Sequence, residues 1–139
     1  MKISARNQIE AAVTAVEKGA VNAAVTLKAP MGTELSAIIT NQSAEMLGLE
    51  AGQYVTGFFK ASHVLIAIGG IPNISARNKL KGSVVKITKG AVNSEIDVKL
   101  VSGDIIVAII TNEAVTDLSL KEGSEVFAII KSTDVMIAK

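Results

Sequence analysis

The chain has no cysteine, no tryptophan and a single histidine, His63, in 139 residues. Without cysteine there are no disulfides, no thiolate metal sites and no cysteine nucleophile. One histidine excludes a multi-histidine centre within a chain, and no metal is expected as a free cation. Aromatic rings are also few. Tyr54, Phe58, Phe59 and Phe127 are the full set, too few for a base-stacking platform in each half. The longest unbroken apolar run, Ile105 to Ile110, is six residues, against the roughly 20 needed to span a bilayer. Neither sign of charge dominates, with 14 basic and 13 acidic residues. That balance argues against a broad footprint for DNA or an anionic membrane, so neither nucleic acid nor membrane is expected as a partner. The N-terminal stretch Met1-Lys2-Ile3-Ser4-Ala5-Arg6 lacks the apolar core of a secretory signal, and a cytoplasmic location is expected.

What is present is a folded composition, 49% apolar and 19% charged, and a tandem repeat. Sliding the chain against itself by 71 residues aligns both halves without a gap, and 26 of 68 aligned pairs are identical. Ile3-Ser4-Ala5-Arg6-Asn7 recurs as Ile74-Ser75-Ala76-Arg77-Asn78. Lys18-Gly19-Ala20-Val21-Asn22 recurs as Lys89-Gly90-Ala91-Val92-Asn93, and Ala37-Ile38-Ile39-Thr40-Asn41 as Ala108-Ile109-Ile110-Thr111-Asn112. Two glycines and a proline in Gly69-Gly70-Ile71-Pro72-Asn73 suit a connector. The expected division is a first domain at residues 1–68, a linker at 69–71 and a second domain at 72–139. Units of this size have thin cores and are marginal alone, so packing against other units is expected.

Periodicity within each unit is mostly that of strands. Strands are expected around Ala12–Val16 and Val84–Ile87, Val21–Leu27 and Val92–Leu100, Glu34–Thr40 and Ile105–Thr111, Val55–Lys60 and Val126–Lys131, and Val64–Ala67 and Val135–Ala138. After the third strand Asn41 and Asn112 are expected to N-cap short helices, the first stopping at Gly48. Strands interrupted by one short helix are the inventory of a small OB-like barrel. The expected fold is all-β: two tandem OB-like five-stranded barrels, each with one short helix.

Two sets of positions could carry chemistry. In an extended Ser-Ala-Arg-Asn segment Ser4 and Arg6 share one face and Ala5 and Asn7 the other; Ser75, Ala76, Arg77 and Asn78 repeat this. In Lys60-Ala61-Ser62 and Lys131-Ser132-Thr133 the outer residues likewise share a face. Ammonium, guanidinium, hydroxyl and backbone N–H groups are all donors, and no carboxylate interrupts either triplet. A donor cluster fits a fully deprotonated oxyanion, which only accepts hydrogen bonds. Short polar stretches beside strands are ordinarily solvated edges that blunt pairing, and both readings stand here. Recurrence weighs for the oxyanion, because neighbouring pairs such as Gln8/Lys79 and Glu10/Lys81 have diverged. The second set is the turn at Gly19, Ala20, Val21 and Asn22, with Gly90, Ala91, Val92 and Asn93. It reads as a hairpin turn whose glycine supplies a permissive backbone angle, or as an anion nest of exposed amides. His63 aligns with Asp134 and reads as a surface residue. With no Ser-His-Asp pattern, P-loop or matched carboxylate pair, no enzyme activity and no catalytic cofactor are expected.

These motifs, in this order and twice over, resemble the molbindin family, whose units are called Mop domains, in its tandem form. The resemblance implies an OB-like barrel, cytoplasmic binding of molybdate or tungstate, and three chains forming a threefold ring of six units. It implies oxyanion sites at unit interfaces on Ser4, Ala5, Arg6 and Asn7 with Lys60, Ala61 and Ser62, and on Ser75, Ala76, Arg77 and Asn78 with Lys131, Ser132 and Thr133. It also implies a second kind of site on the threefold axis, at Gly19–Asn22 and Gly90–Asn93. Two departures stand out: His63 occupies the place of a usual Asp, and Ala61 that of a common Ser. The chain has no room for a helix-turn-helix or ATPase domain, so a free-standing buffer or carrier for storage and homeostasis is expected. The alternatives are an OB-type nucleic-acid-binding module, which neutral charge and missing aromatics disfavour, and a molybdate-sensing regulatory partner.

Overall fold

The computed structural model describes residues 2–71 and 73–139. Met1 and Pro72, the first residues of the two expected domains, lie outside them. The elements run β1 (Asn7–Lys18), β2 (Asn22–Lys28), β3 (Glu34–Thr40), α1 (Asn41–Met46), β4 (Tyr54–Phe59), β5 (Leu65–Ala67), then β6 (Asn78–Lys89), β7 (Asn93–Leu100), β8 (Ile105–Thr111), α2 (Asn112–Asp117), β9 (Glu125–Ile130) and β10 (Met136–Ala138). A 3-10 turn precedes each short last strand, at Ala61–His63 and Ser132–Asp134. The expected all-β pair of five-stranded OB-like units is present, each with one short α-helix.

The first strand of each repeat is longer than its apolar pattern suggests, and it bends. Asn7–Ala12 pairs antiparallel with β4, while Ala12–Lys18 pairs with β2, and the register slips between Val13 and Ala15. β6 repeats this with a slip between Val84 and Lys86. A bulge there increases the local twist, so one strand serves two partners and the sheet curls. Alternation then fixes the core: Val13, Val25, Leu27, Leu35 and Phe59 are fully buried in one unit, Val84, Ile96, Val98, Ile106 and Ile130 in the other. Each such side chain contributes about 1.5–3 kcal/mol through burial.

The packed units differ from the contiguous division at residues 69–71. One comprises residues 1–59 and 131–139, the other 60–130. The sheets run β10-β4-β1-β2-β3 and β5-β9-β6-β7-β8, so each repeat's last strand completes the sheet begun by the other repeat. The physical reason lies in the turns. After Phe59 the chain enters the Ala61–His63 turn, which packs on β8, and Leu65 then pairs with Ile129. Ser132–Asp134 packs on β3 in the same way, and Met136 pairs with Phe58. In the connector Gly69 and Gly70 adopt φ of 86° and 106°.

The helix caps sit one residue earlier than expected. Thr40 and Thr111 are the N-caps, their hydroxyls accepting from Ser43 N–H and Ala114 N–H. Asn41 and Asn112 are instead the first helical residues, and their side chains turn to other work described below. Gly48 does stop α1, at φ 57°. Among the described residues no helix is long and apolar enough to cross a membrane.

Candidate functional site

Ser4–Asn7 leads into β1, and the alternation expected of it is found. Ser4 and Arg6 are exposed, whereas Ala5 and Asn7 are 9% and 2% exposed. The Gln8 side-chain amide donates to Ala5 O at 2.9 Å and Ile3 O at 3.3 Å, tying the segment to the start of β1. In the second repeat Ser75 and Arg77 are exposed, Ala76 is half-buried and Asn78 buried. Lys79 stands where Gln8 does.

The lysine segments differ from expectation in local form. Lys60 and Lys131 are extended, but Ala61–His63 and Ser132–Asp134 form 3-10 turns, closed by His63 N–H to Lys60 O at 3.0 Å and Asp134 N–H to Lys131 O at 2.9 Å. Strand alternation therefore does not apply there. The outcome is nonetheless similar, because the middle residue points inward: Ala61 and Ser132 are 3% and 5% exposed, with Lys60, Ser62, Lys131 and Thr133 outward. Ser132 Oγ is buried and finds no hydrogen-bond partner. His63 is exposed, as expected of a surface residue.

Register relates the two segments. The β1–β4 ladder ends at Asn7 opposite Phe59, and the next residues outward on the two strands are Arg6 and Lys60. The β6–β9 ladder ends at Asn78 opposite Ile130, followed by Arg77 and Lys131. The packed units group these residues crosswise: Ser4–Asn7 falls in the unit with Lys131–Thr133, and Ser75–Asn78 in the unit with Lys60–Ser62.

The glycine turns are tied down by Asn41 and Asn112. Asn41 donates its backbone N–H to Val21 O at 2.8 Å and its side-chain amide to Gly19 O at 2.9 Å. Asn112 does the same to Val92 O at 2.8 Å and Gly90 O at 3.0 Å. Gly19 N–H is spent on Asn22 O at 2.8 Å, and Gly90 N–H on Asn93 O at 2.9 Å. The two glycine N–H groups are therefore not open to an anion nest here. Glycine is needed for a reason other than a left-handed angle: a Cβ on Gly19 or Gly90 would lie 3.1 Å or 2.7 Å from the facing Asn carbonyl oxygen. Val21 and Val92 project into solvent at the turn tips, each 71% exposed. The identity of Thr40-Asn41 and Thr111-Asn112 in both repeats was the available signal for the clamp. Among the described residues no cluster of three or more His, Cys, Asp or Glu could hold a metal ion.

The TOBE domain model matches twice, at residues 3–66 and 74–137. The chain belongs to the TOBE domain family. This TOBE pair is 42% identical to the molybdenum-pterin-binding protein MopA of Rhodobacter capsulatus, over 99% of this chain and 52% of MopA. It is 36% identical to the molybdenum transport protein ModE of Azotobacter vinelandii, over 99% of this chain and 51% of ModE. The TOBE pair thus spans about half the length of these relatives. Among solved structures, the cytoplasmic molybdate-binding protein ModG, with molybdate bound, superposes with a TM-score of 0.94 at 42% identity, covering 99% of both chains.

Proposed function

We propose that this chain binds molybdate, and tungstate with it, as a cytoplasmic store or buffer without bond-making chemistry. The observation that supports this best is the likeness to molybdate-bound ModG over nearly the full length of both chains. The donor chemistry agrees. A guanidinium and an ammonium flank each ladder end, with hydroxyls beside them. A dianion of this kind is desolvated on binding, and fixed donors recover the hydration lost, each charge-assisted bond contributing about 1.5–3 kcal/mol. Hydrogen phosphate is disfavoured because its protonated oxygen presents a donor where the guanidinium and ammonium groups, which only donate, need an acceptor. The sites are assigned to Ser4, Ala5, Arg6 and Asn7, to Lys60, Ala61 and Ser62, and to their counterparts in the second repeat. A further site is assigned to the Gly19–Asn22 and Gly90–Asn93 turns, through backbone amides. The proposed assembly is a homotrimer, with no nucleic-acid partner and no enzymatic activity.

Gel filtration of protein equilibrated with molybdate, followed by elemental analysis of the protein peak, tests the proposal. At least one molybdenum per repeat should co-elute. A metal-free peak under those conditions contradicts it.

A further inference from the structure

The unit at residues 60–130 carries a double cleft that none of the assigned oxyanion positions lines. Antiparallel register sets Phe127 of β9 between Lys81 of β6 and Ala67 of β5, and Ser83 of β6 between Glu125 of β9 and Lys99 of β7. Side chains two apart along a strand share a face, so these two rows lie side by side. Ile68 and Ile71 of the connector, with Phe127, Lys81 and Glu125, line a cleft of about 290 Å³. Lys81 and Glu125 also border a second cleft of about 200 Å³, lined further by Ser83, Lys99 and Val101. Val101 N–H donates to Lys81 O at 3.1 Å and holds that side in place. Together the clefts reach the volume of a small-molecule site.

The two parts differ in chemistry. The first offers a half-buried aromatic ring, two aliphatic side chains and a carboxylate, the second two ammonium groups flanking a hydroxyl. Ile71 and Val101 leave apolar surface to water, at 78% and 80% exposed. Among the described residues the side chains of Lys81, Lys99 and Glu125 form no hydrogen bond or ion pair, although opposite charges line one cleft. In the first repeat Glu10 stands for Lys81, Thr56 for Phe127 and Tyr54 for Glu125, so the fold does not call for this set.

We propose that the double cleft binds a phosphorylated planar heterocycle, at a site separate from the oxyanion positions. The ring stacks on Phe127 against Ile68 and Ile71. Glu125 accepts from adjacent ring N–H and amino groups, two donors matched to its two oxygens. The phosphate takes Lys81, Lys99 and the Ser83 hydroxyl. Glu125 borders the phosphate end as well, and its charge repels an anion that brings no ring donors.

Calorimetric titration of guanosine 5′-monophosphate into the full chain, Lys81→Glu and Phe127→Thr, with guanosine, inorganic phosphate and molybdate as parallel ligands, tests this site. Each variant carries the residue that the first repeat already holds at that place, and melting curves check that the fold is kept. The wild type should bind one nucleotide per chain. Phe127→Thr should weaken it about tenfold through the lost stack, and Lys81→Glu further, because attraction becomes repulsion. Guanosine and inorganic phosphate should each bind at least about tenfold more weakly than the nucleotide. Molybdate uptake should be unchanged in both variants, and saturating molybdate should leave nucleotide binding intact. No saturable nucleotide binding by the wild type, equal affinity for inorganic phosphate, an unchanged Phe127→Thr isotherm, or displacement by molybdate overturns the proposal. Where a variant melts low, the guanosine and phosphate titrations of the wild type decide alone.

Discussion

Ser94 Oγ donates to Asn112 Oδ1 across 2.5 Å, while the amide nitrogen of the same Asn112 donates to Gly90 O. One side chain thereby joins β7, α2 and the glycine turn. In the first repeat the place of Ser94 is taken by Ala23, and Asn41 Oδ1 is buried without a partner. Ser94→Ala should therefore cost about 1–2 kcal/mol. Ala23→Ser should stabilise by about 1 kcal/mol by supplying the missing donor. Urea unfolding midpoints at unchanged m-value check both.

A second difference between repeats sits after the helices. Gly48 ends α1 at φ 57°, and its counterpart Ser119 adopts φ 50°, the single non-glycine with positive φ among the described residues. A left-handed angle strains a residue bearing a Cβ. Ser119→Gly should stabilise by about 0.5 kcal/mol once glycine's extra chain entropy is set against the strain relieved, and Gly48→Ala should cost about 1 kcal/mol. Thermal unfolding of the two variants against wild type gives the signs directly.

The ladder ends make a prediction about affinity. Arg6 and Arg77 each lie one residue beyond a buried asparagine, exposed and next outward from the ladder. Removing either guanidinium from a desolvated dianion should cost about 2 kcal/mol or more at the affected site, roughly thirtyfold in Kd. Equilibrium dialysis with Arg6→Ala, Arg77→Ala and the double variant measures this. Unchanged affinity in the double variant would move the sites away from these segments.

Much of this architecture was legible in the residues. The repeat, the strand positions and the outward face of Ser4 and Arg6 follow from periodicity, and β3 and β8 match their apolar runs in full. The exchange of last strands was not legible. Leu65-Ile66-Ala67 and Met136-Ile137-Ala138 are nearly the same sequence, so either could pair with β4 or β9, and only the direction in which the preceding 3-10 turn sends the chain selects between them. The clamping role of Asn41 and Asn112 was hidden for a different reason. Thr-Asn pairs offer two capping residues in succession, and which one caps depends on whether a carbonyl lies within reach of the other. The unpaired Ser132 hydroxyl was visible only as an aligned Ala61/Ser132 difference, because burial decides whether a hydroxyl is left without water.

The proposed trimer rests on the thin cores. Units of this size gain stability by packing on others, and cyclic closure leaves no unsatisfied interface. Native mass spectrometry should show a mass near three chains, and molybdate should raise the melting temperature by mass action. A monomer at micromolar concentration that still binds the anion tightly would contradict sites built between units.

Calorimetric titration of the wild-type chain with molybdate, beside sulfate and hydrogen phosphate, tests the central claim most directly. The account predicts a saturating exothermic or endothermic isotherm with at least one molybdate per repeat, and no saturable heat from hydrogen phosphate at the same concentrations. An absence of saturable heat from molybdate, or an isotherm indistinguishable from that of hydrogen phosphate, would contradict it.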